Sequence, residues 1–254
     1  MPDQNDTAVH VKVQDLEMRY NNFLIQKNLN FEIRKGEIFM IAGSSGSGKS
    51  TLLRHLIGLM KPVNGKIFYH DRNLWDMLPQ EQKALQRRMG ILYQSAALWS
   101  SLTLGENIAI LLENFTDYDQ SEIRHIVEFK LALVGLAGYQ DYYPSDISGG
   151  MRKRAGLARA MALDPDIFLF DEPTAGLDPV NSQRLDSLIK QLRDNLGTTV
   201  VVVSHELDSI FAIGDTVIFL DSEEKTITGM GVPADLRDHP PNSRVSEFFN
   251  RENK

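Results

Sequence analysis

The sequence contains no cysteine, and this absence excludes disulfide bonds, thiol catalysis and thiolate metal sites. No apolar run approaches the ~18 residues that a membrane-spanning helix needs. The segment from Met1 to Val9 is polar and lacks the apolar region of a secretory signal. Acidic residues outnumber basic ones, 34 to 27, whereas nucleic-acid-binding proteins usually carry a basic surface. We therefore expect a cytoplasmic protein that does not bind nucleic acid and that reaches a membrane only through a partner.

What is present is the composition of an ordinary globular chain. Its 254 residues are enough for one large domain or two small ones. Near the N-terminus apolar and polar residues alternate, which predicts half-buried antiparallel strands. Continuous apolar runs at 167–170, 199–203 and 217–220 predict parallel strands covered on both faces. Helical patterns fill the stretch from Ser95 to Asp146, and the polar stretch from Asp235 predicts a loose C-terminal helix with a frayed end.

The strongest motif is GSSGSGKST, which fits the phosphate-loop pattern G-x-x-x-x-G-K-[ST]. A short apolar run precedes it as a buried strand, and an amphipathic helical pattern follows it. The glycines let the backbone approach phosphates, and Lys49 can reach the β- and γ-phosphates. The hydroxyl of Ser50 can ligate Mg²⁺. The residues assigned to the nucleotide are Gly43, Ser44, Ser45, Gly46, Ser47, Gly48, Lys49, Ser50 and Thr51.

Two carboxylates follow the apolar run at 167–170. They are expected at the carboxyl end of a buried strand, where open α/β sheets bind their ligands. Asp171 can hold Mg²⁺ through water, and Glu172 can polarise an attacking water molecule. Taken alone, the pair could equally be an ordinary polar turn. With a phosphate loop upstream, it predicts nucleotide hydrolysis.

A third motif, Ser148-Gly149-Gly150-Met151, precedes a basic helix start. With it, the chain from about Val9 to Gly231 resembles the nucleotide-binding subunits of ABC transporters, whose signature is LSGGQ. The resemblance implies an α/β fold: a P-loop NTPase (RecA-like) core, an antiparallel β subdomain and an ABC-type helical subdomain at about 95–160. It also implies ATP hydrolysis coupled to transport. Residues 9–231 would form the nucleotide-binding domain, and residues 232–254 a short C-terminal extension.

The resemblance assigns roles outside the phosphate loop. Tyr20 matches the aromatic residue that stacks on adenine, with strand-end packing as the alternative. Gln94 matches a glutamine near Mg²⁺ and the permease, with a surface amide as the alternative. His205 directly follows an apolar strand pattern and matches the switch histidine. The implied catalytic set is Lys49, Gln94, Glu172 and His205, and the implied metal set is Ser50, Gln94 and Asp171.

The signature implies a composite site made by two chains. Ser148 and Gly150, with Gly149 between them, match residues that contact the γ-phosphate of ATP held by the opposite protomer. Asp178 matches the D-loop. The implied cofactors are therefore ATP and Mg²⁺, and the first implied partner is a second copy of the chain in an ATP-sandwich homodimer.

The signature departs from the common pattern at two positions. Ile147 replaces Leu, which is a conservative change, and Met151 replaces Gln. The expected phosphate contacts come from a serine hydroxyl, a glycine N–H and the helix N-terminus, so Met151 need not disturb them. We interpret the following basic run, 152–154, as a solvated helix face, with a permease contact as the alternative.

Within ABC transporters, the chain most resembles the ATPase subunits of MCE-associated phospholipid transporters. The stretches 94–98, 131–136 and 144–154 carry this likeness. It implies a position on the inner face of the cytoplasmic membrane, with integral-membrane permease subunits, an MCE-domain lipid-binding protein and a small regulatory subunit as partners. The favoured cargo is phospholipid, and the alternative is an amino-acid or other small solute.

Two other functions fit the sequence less well. Translation factors of this superfamily generally carry two nucleotide domains, whereas this chain has one. Chromosome ATPases separate the motifs by long heptad arms, whereas here only a short helical insertion lies between Gln94 and Ser148. An inactive regulatory subunit is disfavoured because every catalytic position is filled.

Within a transporter, the permease contact is expected just after Gln94, where we predict that Leu98 and Trp99 are exposed.

Overall fold

The computed structural model describes residues 8–251. The polar N-terminal segment, apart from Ala8 and Val9, and the last three residues of the predicted extension lie outside this range. The strands in it are β1 (Val9–Tyr20), β2 (Phe23–Arg34), β3 (Ile38–Gly43), β4 (Asn64–Tyr69), β5 (Arg72–Asn73), β6 (Met89–Leu92), β7 (Ile167–Asp171), β8 (Thr199–Val203), β9 (Thr216–Asp221) and β10 (Thr226–Gly231). The helices in it are α1 (Lys49–Ile57), α2 (Pro79–Arg87), α3 (Leu104–Phe115), α4 (Gln120–Leu133), α5 (Gly149–Ala160), α6 (Pro179–Leu196), α7 (Leu207–Ile213), α8 (Pro233–Asp238) and α9 (Ser243–Phe249). None of these helices is both long and apolar enough to cross a membrane.

The smaller sheet is antiparallel, in the order β2-β1-β4-β5. The predicted alternation in β1 is the reason that one face is buried, with Val11 and Val13 inside and Lys12 facing outward. The ring of Phe31 stacks on that of Phe39 at a centroid distance of 5.4 Å. This contact packs the smaller sheet against β3 of the larger one.

The larger sheet has the order β10-β9-β3-β8-β7-β6. Strands β9, β3, β8, β7 and β6 run parallel, and β10 is antiparallel. Every residue of β3 and β8 is buried, as expected for strands covered on both faces. In the register, Val203 lies beside both Ile41 and Asp171. The segments that follow β3, β7 and β8 therefore leave the sheet at the same edge.

The predicted helical stretch, 95–146, contains α3 and α4, and α5 follows it within the predicted helical subdomain at about 95–160. The sequence Asp119-Gln120-Ser121-Glu122 has the form of a capping box, and this box begins α4. Asp119 Oδ1 accepts from the N–H of Glu122 at 2.9 Å, and Glu122 Oε2 accepts from the N–H of Asp119 at 2.8 Å. Ile108, Leu131 and Ala158 belong to the hydrophobic cluster that also contains β3 and β8 side chains. Helices α3 and α4 pack on each other and on α5, and α5 packs against β6 of the parallel sheet.

The C-terminal segment differs from the sequence prediction of a loose helix. Val245, Phe248 and Phe249 of α9 are buried. The ring of Phe248 lies 5.0 Å from that of Phe219 in β9. Arg244 Nη1 donates to both carboxylate oxygens of Asp221 at 3.0 Å. The prediction was wrong because three apolar residues at helical spacing are enough to anchor a short polar helix.

We expect Phe249→Ala to lower the free energy of unfolding by about 3–5 kcal/mol, because truncating a buried aromatic side chain leaves a cavity. Glu247→Ala is the matched control, since Glu247 is exposed on the same helix. Chemical denaturation measures both changes. Equal unfolding midpoints for the two variants would contradict the anchoring of α9.

Candidate nucleotide site

The phosphate loop joins β3 to α1 and encloses the lysine ammonium group. Lys49 Nζ donates to the carbonyl oxygens of Gly43 at 2.9 Å and Ser44 at 3.0 Å. Burial lowers the pKa of Lys49, and the nearby carboxylates of Glu172 and Asp171 oppose that shift. The loop thus keeps a cation at its centre, where phosphate oxygens would lie.

Glycine is required at the start of α1. Gly48 has a φ of 96°, and a Cβ there would lie 2.6 Å from Ile25 Cγ2. Any larger residue would collide with the smaller sheet at this point. The close approach also means that the smaller sheet forms one wall beside the phosphate loop.

The two acids that follow the buried strand have different surroundings. Asp171 Oδ1 accepts a hydrogen bond of 2.8 Å from the hydroxyl of Ser50. Glu172 has a φ of 50°, in the left-handed region that a non-glycine residue adopts at a cost of about 1–3 kcal/mol. Its N–H donates to the carbonyl of Val203 at 2.9 Å, which holds this turn against β8. Strain of this kind is concentrated at functional sites.

The side chain of Glu172 meets the histidine that follows β8. His205 Nδ1 lies 2.8 Å from both Glu172 Oε1 and Oε2. Because a carboxylate only accepts hydrogen bonds, this geometry assigns a proton to Nδ1. The structure therefore brings together the two residues that the sequence separates by 33 positions.

The basic run at the start of α5 is mostly buried, so the prediction of a solvated face was wrong for two of its three residues. Arg152 is exposed. Lys153 Nζ donates to the carbonyl oxygen of Glu172 at 3.2 Å. Arg154 Nη1 donates to the carbonyl of Val134 at 2.8 Å, which ties α5 to the end of α4. The two cationic side chains are buried because each finds a backbone carbonyl acceptor in a distant segment, which the local sequence does not show.

Sequence reasoning also missed Arg159 at the other end of α5. Its guanidinium donates to the carbonyl oxygens of Ala97, through a short hydrogen bond, and of Ala96. Both alanines have positive φ, 62° for Ala96 and 48° for Ala97. Arg159 thus holds the strained segment just after Gln94. The sequence did contain one indication of a buried role for Arg159, because it is a basic residue in a helix rich in small residues.

Gln94 and Tyr20 lie at accessible positions. Gln94 is exposed just beyond the carboxyl end of β6, which pairs with β7 and its acids. Tyr20 ends β1 and is 66% exposed, opposite Phe23 in the β1–β2 hairpin. Both side chains are exposed, Gln94 beyond the end of β6 in the larger sheet and Tyr20 in the hairpin of the smaller sheet.

The signature lies at the N-terminus of α5, apart from the phosphate loop. Ser148 caps this helix, and its hydroxyl accepts from the N–H of Met151 at 3.3 Å. Gly149 is exposed, whereas Gly150 is buried and a Cβ there would lie 2.9 Å from Asn181 Oδ1. Asp178 caps α6 and accepts from Asn181 Nδ2 at 2.5 Å. In residues 8–251 no hydrogen bond joins the signature to the phosphate loop.

The residues beside the phosphate loop fit a magnesium ion. The hydroxyl of Ser50 and the carboxylate of Asp171 lie 2.8 Å apart, and the amide of Gln94 is exposed at the same edge. Mg²⁺ prefers oxygen ligands and is usually held by one or two carboxylates together with substrate phosphates. The part of the chain from 8 to 251 contains no cluster of three or more acidic or histidine residues arranged as a metal cage.

Together, the parallel sheet, the phosphate loop and the strand-end acids define a P-loop ATPase. A model of the ABC transporter family matches residues 26–175, and the chain belongs to that family. The predicted family, fold class and ATPase activity are thereby confirmed. The chain is the ATP-binding subunit of an ABC transporter.

Two relatives differ in what they are said to transport. The phospholipid transport ATP-binding protein MlaF of Haemophilus influenzae is 38% identical over 85% of this chain and 82% of its own. The glycine betaine/carnitine transport protein GbuA of Listeria monocytogenes is also 38% identical, over 87% of this chain but 55% of its own. Overall identity therefore does not separate the two cargo classes.

A solved bacterial cassette, MJ0796, has the same fold. Its dimeric structure superimposes with a TM-score of 0.80 at 29% identity, covering 87% of this chain and 98% of that one. A second structure of MJ0796, a dimer in a post-hydrolysis state bound to ADP and Pi, gives a TM-score of 0.79. The similarity extends over nearly the whole cassette.

Proposed function

We propose that this chain hydrolyses ATP to drive phospholipid movement between bacterial membranes, as part of an MCE-type system. The supporting observation is coverage: the chain spans 82% of the phospholipid-transport relative but 55% of the betaine-transport relative. In this proposal the ATPase contacts permease subunits and not the lipid. The second candidate, a small-solute transporter, is favoured by the equal identity to GbuA.

In the proposed mechanism, the residues around the phosphate loop have separate roles toward ATP. Lys49 and the loop Gly43–Thr51 bind the phosphates, and the exposed ring of Tyr20 stacks on adenine. Glu172 orients the attacking water, and His205 holds the Glu172 carboxylate in place through Nδ1. Ser50, Asp171 and Gln94 would hold Mg²⁺, which would neutralise phosphate charge there.

The proposed active form is a head-to-tail homodimer. Ser148, Gly149 and Gly150 of one chain face the phosphate loop of the other, and Asp178 lies beside them. The separation of the signature from the phosphate loop within one chain supports this arrangement. A two-fold axis would complete both sites at once. The domain limits that we propose are 9–231, with the helical subdomain at about 95–160, and 232–254 for the extension.

The proposed permease contact is a groove of about 760 Å³ beside the segment that follows Gln94. Trp99 is 49% exposed on its wall, whereas Leu98 is half-buried against the core, so its predicted exposure was wrong. The buried amide of Asn107 fixes Trp99, accepting from its N–H at 2.8 Å and donating to its carbonyl at 3.1 Å. A rigid aromatic wall suits a short helix from an integral-membrane subunit.

Trp99→Glu should release the subunit from membranes, because it replaces the exposed aromatic surface of the groove with a carboxylate. ATP binding should persist, since Trp99 lies outside the phosphate loop. Tyr118→Glu is the matched control, because Tyr118 is also 49% exposed but does not line the groove. Membrane co-sedimentation and nucleotide binding are measured for both. Retention of the Trp99 variant on membranes would exclude this groove as the contact.

The cargo proposal is tested by purifying the intact complex from membranes. Recovery with permease subunits on the inner face of the cytoplasmic membrane, an MCE-domain lipid-binding protein and a small regulatory subunit is the expected result. Phospholipid in that complex would support the cargo directly. Recovery with a solute-binding protein instead would favour the small-solute transporter and leave the ATPase activity unchanged.

A further inference from the structure

A buried carboxyl group lies in α6, outside the nucleotide site described above. Asp186 is 6% exposed, and its Oδ2 accepts from the hydroxyl of Ser209 in α7 at 2.8 Å. Ser209 Oγ also lies 3.3 Å from Thr174 Oγ1. All three side chains are buried.

The directions of these hydrogen bonds follow from the number of protons. A serine hydroxyl has a single proton, and that of Ser209 is donated to Asp186. The Thr174 hydroxyl must then donate to Ser209. The result is a directed chain from Thr174 through Ser209 to Asp186.

This chain of hydrogen bonds joins the segments that carry the proposed catalytic pair. Thr174 lies two residues after Glu172, and Ser209 lies four residues after His205. The carbonyl of Thr174 accepts from the N–H of Leu177 at 3.1 Å, directly before the residue that caps α6. The buried hydrogen bonds therefore form a second connection between the two segments, behind the direct contact of Glu172 with His205.

Stability does not explain the carboxyl group. Asp186 Oδ1 is buried without a hydrogen-bond partner. Burial raises the pKa of Asp186, the Ser209 hydrogen bond opposes the shift, the nearby carboxylates of Glu206 and Asp208 add to it, and the resulting pKa is about 6. An apolar side chain of similar size would avoid this cost.

We propose that Asp186 is a positioning residue for ATP hydrolysis. Through Ser209 and Thr174 it fixes the segments of Glu172 and His205 to one another and to α6. Helix α6 begins beside Asp178, which is proposed to lie at the dimer interface. A movement of the partner chain there would shift α6, and the same hydrogen bonds would then shift the water-orienting carboxylate of Glu172. This inference rests on the catalytic pair proposed above.

The first test replaces the carboxyl group in two ways. Asp186→Leu removes the acceptor and keeps the branched shape with the same number of heavy atoms, and we expect kcat to fall about tenfold with a KM for ATP within about twofold of wild type. Asp186→Asn keeps an acceptor oxygen and should retain most of the activity. Ser187→Ala is the matched control, because its exposed hydroxyl bonds only within α6, to the carbonyl of Gln183.

Two further measurements separate positioning from folding. The melting temperature of Asp186→Leu should stay close to that of wild type, because removal of the costly buried carboxyl offsets the loss of an acceptor for the Ser209 hydroxyl. Ser209→Ala should lower kcat as Asp186→Leu does. The double variant should be no slower than either single variant, because both break the same chain.

An unchanged kcat in Asp186→Leu, a melting temperature that falls with kcat, or multiplying effects in the double variant would each overturn the inference. Glu172→Gln is assayed alongside. If that variant is inactive while Asp186→Leu is fully active, only the positioning role fails. If Glu172→Gln itself hydrolyses ATP normally, the proposed catalytic pair fails first.

Discussion

A Glu172→Gln protein is expected to bind ATP as wild type does and to hydrolyse it at least about 10²-fold more slowly. The amide can still accept the hydrogen bond from His205 Nδ1, so the geometry of the pair is kept. What is lost is the carboxylate charge that polarises water. Steady-state phosphate release and equilibrium ATP binding measure the two properties separately.

Glu247→Gln is the matched control for this experiment, because Glu247 is exposed on α9 and lies away from the sheet edge. It should hydrolyse ATP at the wild-type rate. A Glu172→Gln protein with wild-type turnover would remove Glu172 from the proposed mechanism. A loss of ATP binding together with hydrolysis would instead indicate that Glu172 holds the fold of the site, through its strained turn beside Val203.

Mixing two inactive variants is expected to restore activity. Lys49→Ala breaks the phosphate loop, and Ser148→Arg breaks the signature, so neither homodimer has an intact composite site. A mixed dimer has one intact site, made from Lys49 of the Ser148→Arg chain and Ser148 of the Lys49→Ala chain. Random pairing should recover about a quarter of the wild-type rate if the two sites act independently.

The control mixes Lys49→Ala chains with chains that carry both substitutions. No pairing of those chains gives an intact site, so the rate should stay at the background of the single variants. A site built within one chain predicts no recovery in either mixture. Absence of recovery in the first mixture, with dimers verified by cross-linking, would therefore contradict the head-to-tail arrangement.

Much of the fold followed from the sequence, because its signals are local. The alternation in β1, the buried runs of β7 and β8 and the capping box at Asp119 each depend on neighbouring residues. The loop from Gly43 to Thr51 and the acids after β7 are likewise continuous motifs, in which residue type and order already specify the chemistry.

Packing decided the rest, because it brings together residues that are far apart in the chain. Three apolar side chains hold α9 on the sheet, although the composition of that segment is mainly polar. Lys153 is buried and donates to the carbonyl oxygen of Glu172, which lies 19 residues away in the sequence. Such contacts depend on how helices cross the sheet, which local sequence patterns do not specify.

The sequence by itself determined that this protein binds phosphates, carries strand-end acids and bears a signature in a helical insertion. Only the tertiary structure decided how those parts are held. The contact of His205 with Glu172 and the buried chain from Thr174 through Ser209 to Asp186 arise from the crossing of three segments. The physical reason is that a hydrogen bond requires atoms within about 3 Å, and only the packed fold sets that distance between residues so widely separated in sequence.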